Sequence, residues 1–211
     1  MKIILINGSP KVRNSTSEAL IRSLKDSISS KADTLEISLH TSAIPQGALE
    51  QMSDADAWVF AYPLYVDGIP GHLLSCLVQL EELHLSNPDI RVYGIVNCGF
   101  YEGIQTQYAI DVLRNWCEKC GFTWGAGVGV GGGGSSAQFS GPKRGKGPRA
   151  PIDHALDDLA KLILQGQSNE NRYANIGFPR FAYKLGAELS WRMQIRANGG
   201  KGKDLGKRAV K

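Results

Sequence analysis

Short β-prone apolar runs alternate with segments of helical period along the first 164 residues, and few folds accommodate that alternation. Lys2 to Asn7, Thr34 to Leu39, Ala57 to Ala61, Ile90 to Asn97 and Phe122 to Val130 read as strands, the third ended by Tyr62-Pro63. The first is a nearly continuous apolar run, as expected of a strand covered on both faces. Ser17 to Ser30 reads as a helix, with Leu20, Ile21, Leu24 and Ile28 on one side and Ser15, Thr16 or Ser17 available as N-cap. Gly71 to Leu85, Gln105 to Cys120 and Ile152 to Leu164 read as further helices, and Gly121 fits the position after the third. His40 to Ser53 is a loop or short helix. Strand-helix alternation predicts an α/β protein: a parallel sheet with helices on both faces, joined by right-handed crossovers.

Five strands with a helix after each match the doubly wound, flavodoxin-like order 2-1-3-4-5. In such a sheet ligands bind outside the carboxyl ends of the strands, where the winding reverses. The loops after strands one, three and four are therefore the expected functional segments. They are Gly8 to Thr16, Tyr62 to Gly68, and Cys98 to Gly103.

The first loop leads small residues into a helix N-terminus, where unpaired N–H groups and the helix dipole favour an anion. Ser9, Asn14, Ser15 and Thr16 offer further hydrogen bonds to a phosphate, and Lys11 and Arg13 supply positive charge. A plain helix cap behind a Gly-Ser-Pro turn is the competing reading. In the second loop Pro63, Leu64, Tyr65 and Val66 supply a rigid turn and a ring for a flat heterocycle. In the third, Asn97, Cys98, Gly99, Phe100, Tyr101 and Gly103 can approach the same heterocycle with backbone groups. The first loop has no Gly-x-x-x-x-Gly-Lys-Ser/Thr, which argues against a nucleoside triphosphatase. It has no Gly-x-Gly-x-x-Gly either, which argues against a dinucleotide site at the first turn.

At these three segments the sequence resembles a known family. "NGSPKVRNST", "YPLYVDGIP" and "NCGFYEG" are similar to the FMN-contacting loops of flavodoxin-like NAD(P)H-dependent FMN reductases and quinone-reductase-like flavoproteins, over Met1 to about Leu164. The resemblance implies noncovalent FMN, with Ser9, Asn14, Ser15 and Thr16 on its phosphate. It places Pro63 to Val66 and Asn97 to Tyr101 around the isoalloxazine. Asn14-Ser15 reverses the order common in such proteins. Leu74, Val78 and Gln79 replace the basic residue and Asp-Arg pair that many carry after the third strand. The activity implied is hydride transfer from NADPH or NADH to FMN, then electron transfer to a quinone or other small acceptor, in a homo-oligomer such as a dimer. A flavodoxin-like electron carrier between proteins is the alternative. Tyr65, Tyr101 and Glu102 are candidates for steering protons or substrate, and no catalytic acid or base is assigned.

Charge divides the chain. Arg172 to Lys211 holds ten Lys or Arg against two acids, a net +8 that leaves −4 on residues 1–171. We expect an FMN-binding domain over 1–168 and a basic extension over 169–211. Phe181, Leu185, Leu189 and Met193 recur at four-residue steps beside Arg180, Lys184, Arg192 and Arg196, which predicts a basic amphipathic helix. Packing on its own domain or a second copy, or meeting an acidic partner or membrane surface, are the roles it suggests. Aromatic residues are not interleaved along one sheet face, so no nucleic-acid binding is expected. No apolar run is long enough to cross a bilayer and the N-terminus lacks the pattern of a signal peptide, so we expect a cytoplasmic protein with reduced thiols.

Other motifs are weaker. Cys117-Glu118-Lys119-Cys120 lies at a helix C-terminus, where the dipole disfavours a thiolate, and is expected to be structural. Gly127 to Gly132 matches Gly-x-Gly-x-x-Gly without a helix behind it. It is read instead as a strand that lets another backbone or a ligand come close. The basic segment Ser140 to Arg149 is a solvated loop or a contact for a nicotinamide nucleotide phosphate. His40, His72, His84 and His154 are scattered, and no metal site is expected.

Overall fold

A computed structural model describes residues 1–83, 89–133 and 144–207. His84, the end of the second expected helix, residues 140–143 of the basic segment, Arg208 and Lys211 lie outside them. The chain divides into two compact units, Met1–Gly177 and Phe178–Lys211.

In the first unit the elements are β1 (Lys2–Asn7), α1 (Thr16–Ile28), β2 (Asp33–Ser38), α2 (Ala48–Ser53), β3 (Ala57–Pro63), α3 (Gly71–Glu82), β4 (Arg91–Asn97), α4 (Gln107–Lys119), β5 (Thr123–Val130), α5 (Ala150–Gln165) and β6 (Arg172–Ala174). A 3-10 turn over Gly103–Thr106 leads into α4. All strand pairs are parallel, in the order β2-β1-β3-β4-β5-β6.

The expected order of five strands holds, and a sixth is added at the edge. β6 is three residues long and pairs Arg172, Tyr173 and Ala174 with Val128, Gly129 and Val130. So short a strand carries no alternation to read in the sequence. It also ties residues beyond 168 to the first unit, so the compact body runs to Gly177.

Period-2 geometry explains the layers. Along β1, Ile4 and Ile6 face a core made with α2, α3 and α4, while Ile3 and Leu5 face one made with α1 and α5. All four are fully buried, as a strand covered on both faces requires. β5 is asymmetric. Ala126, Val128 and Val130 fill the α1–α5 core, whereas Gly127 and Gly129 turn toward α4 and the 3-10 turn. A Cβ on Gly127 would lie 2.6 Å from Ile110 Cγ2, and one on Gly129 would lie 2.8 Å from the Gly103 carbonyl. The glycines let neighbouring backbone lie against the strand, as the sequence suggested.

Tyr62 and Pro63 complete β3 rather than end it. Both are buried, and Pro63 stands level with Asn97 in the neighbouring strand. Proline is tolerated there because it is the last residue of the ladder. Gly121 (φ 76°) and Gly166 (φ 59°) close α4 and α5 in the left-handed conformation that glycine adopts without strain.

The second unit contains α6 (Arg180–Ala197), preceded by Pro179, and a 3-10 turn over Gly202–Gly206. The expected separation into an apolar and a basic side is not what its geometry gives. At about 100° per residue, Arg192 and Arg196 fall among Phe181, Leu185 and Leu189. Four-residue spacing found the apolar positions but did not test where the cations point.

Candidate functional site at the carboxyl edge of the sheet

The register brings the expected loops to one rim. Asn7 pairs with Ala61, Pro63 with Asn97, and Asn97 with Val130, so β1, β3, β4 and β5 end close together. Hydrogen bonds then tie the loops to one another. Gly8 N–H donates to the Ala61 carbonyl at 2.8 Å, and Leu64 N–H to the Asn97 carbonyl at 2.8 Å. Ser17 Oγ donates to Asn97 Oδ1 at 2.9 Å, and Thr16 Oγ1 to the Gly133 carbonyl at 2.9 Å.

The first loop begins with an Asx turn, in which Ser9 N–H donates to Asn7 Oδ1 at 3.1 Å. Gly8 lies close against α3: a Cβ there would come within 2.6 Å of Leu73 Cδ2, so that side chain would have to shift. Ser9 is buried, and its Oγ accepts the Lys11 N–H at 3.2 Å. Lys11 Nζ reaches back to the Asn14 carbonyl at 3.0 Å. Asn14 takes φ 55°, a left-handed conformation that asparagine tolerates better than most residues. Of the three N-cap options the structure selects Ser15, whose Oγ accepts the Glu18 N–H at 3.0 Å. The capping reading and the ligand reading therefore coexist. The Ser9 and Ser15 hydroxyls accept in these bonds and keep their protons for donation, while Thr16 spends its proton on Gly133.

The second loop is a tight reversal. Tyr65 and Gly68 exchange backbone hydrogen bonds at 3.2 and 3.1 Å, and the two central residues have φ 49° (Val66) and 59° (Asp67). Two positive φ values define a turn that normally selects Asn, Asp or Gly. A β-branched valine there is a genuine outlier. Val66 is fully exposed and Tyr65 half exposed, so packing does not account for the strain.

The third loop divides its residues. Phe100 is exposed, and its carbonyl accepts the Gly132 N–H at 2.6 Å. Cys98 is buried, with its N–H on the Val130 carbonyl and its carbonyl receiving the Gly133 N–H. Burial pushes its thiol pKa up. Gly103 turns inward: its N–H donates to Asn175 Oδ1 at 2.8 Å, and a Cβ would meet the Gly129 and Ala174 carbonyls at 2.7 Å. It wedges the 3-10 turn against the sheet. Tyr101 is partly exposed at the same rim.

Two residues escaped the sequence reading. His40, given no role, places Nδ1 2.7 Å from the Ser9 carbonyl, which fixes that nitrogen as the donor. Ser17, seen only as a cap option, is the buried link to Asn97. Sequence separations of 31 and 80 leave no local signal for either contact.

Of the basic segment, the described Arg144 and Arg149 are engaged elsewhere. Arg144 Nη2 pairs with Asp157 Oδ1 at 2.6 Å, and Arg149 Nε with the buried Asp153 at 3.0 Å. Both guanidinium groups pair with acids of α5. In the CxxC pair, burial pushes the Cys117 thiol up to about 12, with Glu118 and Cys120 adding to the shift. Burial and then Glu81 raise the Cys120 thiol.

A six-stranded parallel sheet in the order 2-1-3-4-5-6, with helices on both faces and its loops gathered at the carboxyl edge, decides the fold. The fold is flavodoxin-like. Solved structures similar to this chain include the rubredoxin oxygen:oxidoreductase of Desulfovibrio gigas, at 19% identity and a TM-score of 0.57, over 78% of this chain and 35% of that one. This chain thus spans about a third of that oxidoreductase. A Streptococcus pneumonia TIGR4 flavodoxin matches at 13% identity and a TM-score of 0.57, over 79% of this chain and 99% of its own. An azoreductase from Bacillus anthracis str. Sterne matches at 16% identity and a TM-score of 0.50, over 79% and 99%. No protein-family model matches the sequence, and no curated protein matches it.

Proposed function

We propose that the carboxyl-edge rim holds FMN and that the protein is an oxidoreductase, taking hydride from NADPH or NADH and passing electrons to a quinone or other small acceptor. The observation that carries this reading is the convergence of three loops on one rim, stitched through Asn97, Ser17 and Gly133. When bound, FMN supplies two-electron acceptance and release, chemistry the side chains lack.

The donor set suits a phosphate. α1 turns its N-terminus to the first loop, with only the Glu18 N–H taken up by the cap. The Ser9 and Ser15 hydroxyls have protons to give, Lys11 brings charge, and left-handed Asn14 helps bend successive N–H groups toward one point. A flat ring is served by Leu64 and the half-exposed Tyr65 on one side, and by Gly99, Phe100 and Tyr101 on the other. Pro63, Cys98 and Gly103 act from behind, by fixing where those loops start and end. The likeness to an azoreductase and a flavodoxin supports a flavin at this edge.

We further propose a homo-oligomer built on α3 and α4. Trp116 Nε1 donates to the Leu77 carbonyl at 2.9 Å, and Lys119 pairs with Glu81 at 2.5 Å, so the two helices run side by side. Leu74 and Val78 of α3 and Tyr108 and Val112 of α4 are all at least 40% exposed beside that seam. An apolar strip of this kind suits a self-complementary contact.

The test is the absorption spectrum of the purified protein supplied with FMN, followed by anaerobic NADPH or NADH. A flavin spectrum that bleaches with either nucleotide supports the enzyme. A bound flavin that neither nucleotide bleaches supports an electron carrier instead. Failure to take up FMN at saturating supply overturns the site.

A further inference from the structure

We propose that α6 and the turn behind it dock on anionic lipid headgroups, holding the protein on a bilayer surface. Only the second unit carries this inference, so it stands independently of the flavin reading.

The helical arrangement points to such a surface. At about 100° per residue, one broad face of α6 places Phe181, Leu185 and Leu189 among Lys184, Arg192 and Arg196, with Glu188 the one acid on that face, 3.8 Å from Arg192. The opposite face carries small or uncharged residues, including Gly186, Ala187, Ser190 and Gln194. No residue of the helix is buried, and Phe181 and Met193 are exposed by 69% and 68%. Trp191, at 61%, borders the mixed face. Beyond the helix end, Lys201, Lys203 and Lys207 add charge.

Interleaved cations and large apolar tips meet two needs at once at a lipid interface. The apolar tips reach below the headgroups, while the long basic side chains rise to the phosphate level. A tryptophan at the border is suited to the same depth. An acidic protein surface would satisfy the cations but leave Phe181, Leu185 and Leu189 without an apolar counterpart. No helix among the described residues is long and apolar enough to cross a membrane, so the contact is one of lying on the surface. Charge segregation sets the polarity: residues 178–211 carry nine Lys or Arg against two acids, net +7, and residues 1–177 net −3, so an anionic surface attracts the second unit and not the first.

The experiment is co-sedimentation of the full chain with vesicles of equal parts phosphatidylglycerol and phosphatidylcholine, beside vesicles of phosphatidylcholine alone. Binding to the mixed vesicles is expected, weakening as salt is added, with little on the neutral ones. Arg192→Gln with Arg196→Gln should cut partitioning about fivefold for each charge lost. Phe181→Ser with Leu185→Ser should cut it as well, at unchanged charge. These side chains are exposed, and circular dichroism of each variant verifies that helix content is kept. No binding to mixed vesicles, equal binding to both kinds, or indifference to both double variants overturns the proposal. Capture by a polyglutamate matrix without any vesicle binding overturns it in favour of an acidic protein partner.

Discussion

The Ser17 hydroxyl donates to the Asn97 side-chain oxygen across 2.9 Å, joining the first turn of α1 to the last residue of β4. Both side chains are buried, so neither has water as a substitute partner. Ser17→Ala should therefore cost about 1–3 kcal/mol, because Asn97 Oδ1 is left buried without its donor. Denaturant unfolding checks this, and a loss well below that range would mean that the oxygen finds another donor.

Ser15 has two tasks in the proposed site, capping α1 and offering its proton to a phosphate. Ser15→Ala should lower stability by about 1 kcal/mol through the lost cap. It should also weaken FMN binding about tenfold through the lost charged hydrogen bond. Calorimetric titration separates the two effects. Lower stability at unchanged FMN affinity would leave Ser15 a helix cap alone.

Val66 is strained at φ 49° and fully exposed, so it gains no packing in return. Left-handed geometry costs a non-glycine residue about 1–2 kcal/mol, against about 0.5–1 kcal/mol of extra chain entropy for glycine. Val66→Gly should thus stabilise the protein by up to about 1 kcal/mol. If FMN affinity or nucleotide turnover falls in the same variant, the strain serves the site. A destabilised variant would show that Val66 makes a contact its exposure hides.

The thiol of Cys117 is pushed up to about 12 by burial, and those of Cys76, Cys98 and Cys120 are raised as well. A raised thiol pKa favours the protonated form, so the reactive thiolate is scarce near neutral pH and accumulates only as pH climbs. Iodoacetamide at about pH 8 should label the native protein more slowly than free cysteine, with the partly exposed Cys120 reacting first. Rapid labelling of Cys117 near pH 7 would reopen a redox role for the pair.

Val78 lies on the exposed strip between α3 and α4. Val78→Glu should raise the dissociation constant of the proposed homo-oligomer at least about tenfold, by placing a charge in an apolar contact. Sedimentation velocity of both proteins checks it. A parent already monomeric at high concentration removes the premise.

What the sequence disclosed depended on periodicity. Ile3 to Ile6 announced a doubly covered strand because four adjacent apolar residues can hide only between two layers. Leu20, Ile21, Leu24 and Ile28 announced their helix by spacing alone. β6 was illegible because three residues carry no pattern, and its place is set by pairing with Val128 to Val130. In the site, loops could be assigned to the rim by topology, but inward and outward residues could not be sorted. Gly103 and Phe100 look alike as members of one flexible segment, yet one is clamped between two strands and the other stands in solvent. His40 and Ser17 were missed because the bonds that recruit them are made by the tertiary fold. In α6 the spacing was read correctly and the angle was not, so Arg192 and Arg196 were assigned to the wrong side.

Gly127 and Gly129 on β5 leave a bare strip along one flank of the sheet, against which Ile110 and the 3-10 turn rest. The depth of the rim is therefore set by missing atoms. An added methyl group at Gly129 would crowd Thr106 Oγ1 and the Gly103 carbonyl and so press on the third loop, while one at Gly127 would crowd Ile110. Variants at Gly129 should mimic damage to the proposed site, and their cause would be found in the spacing between layers.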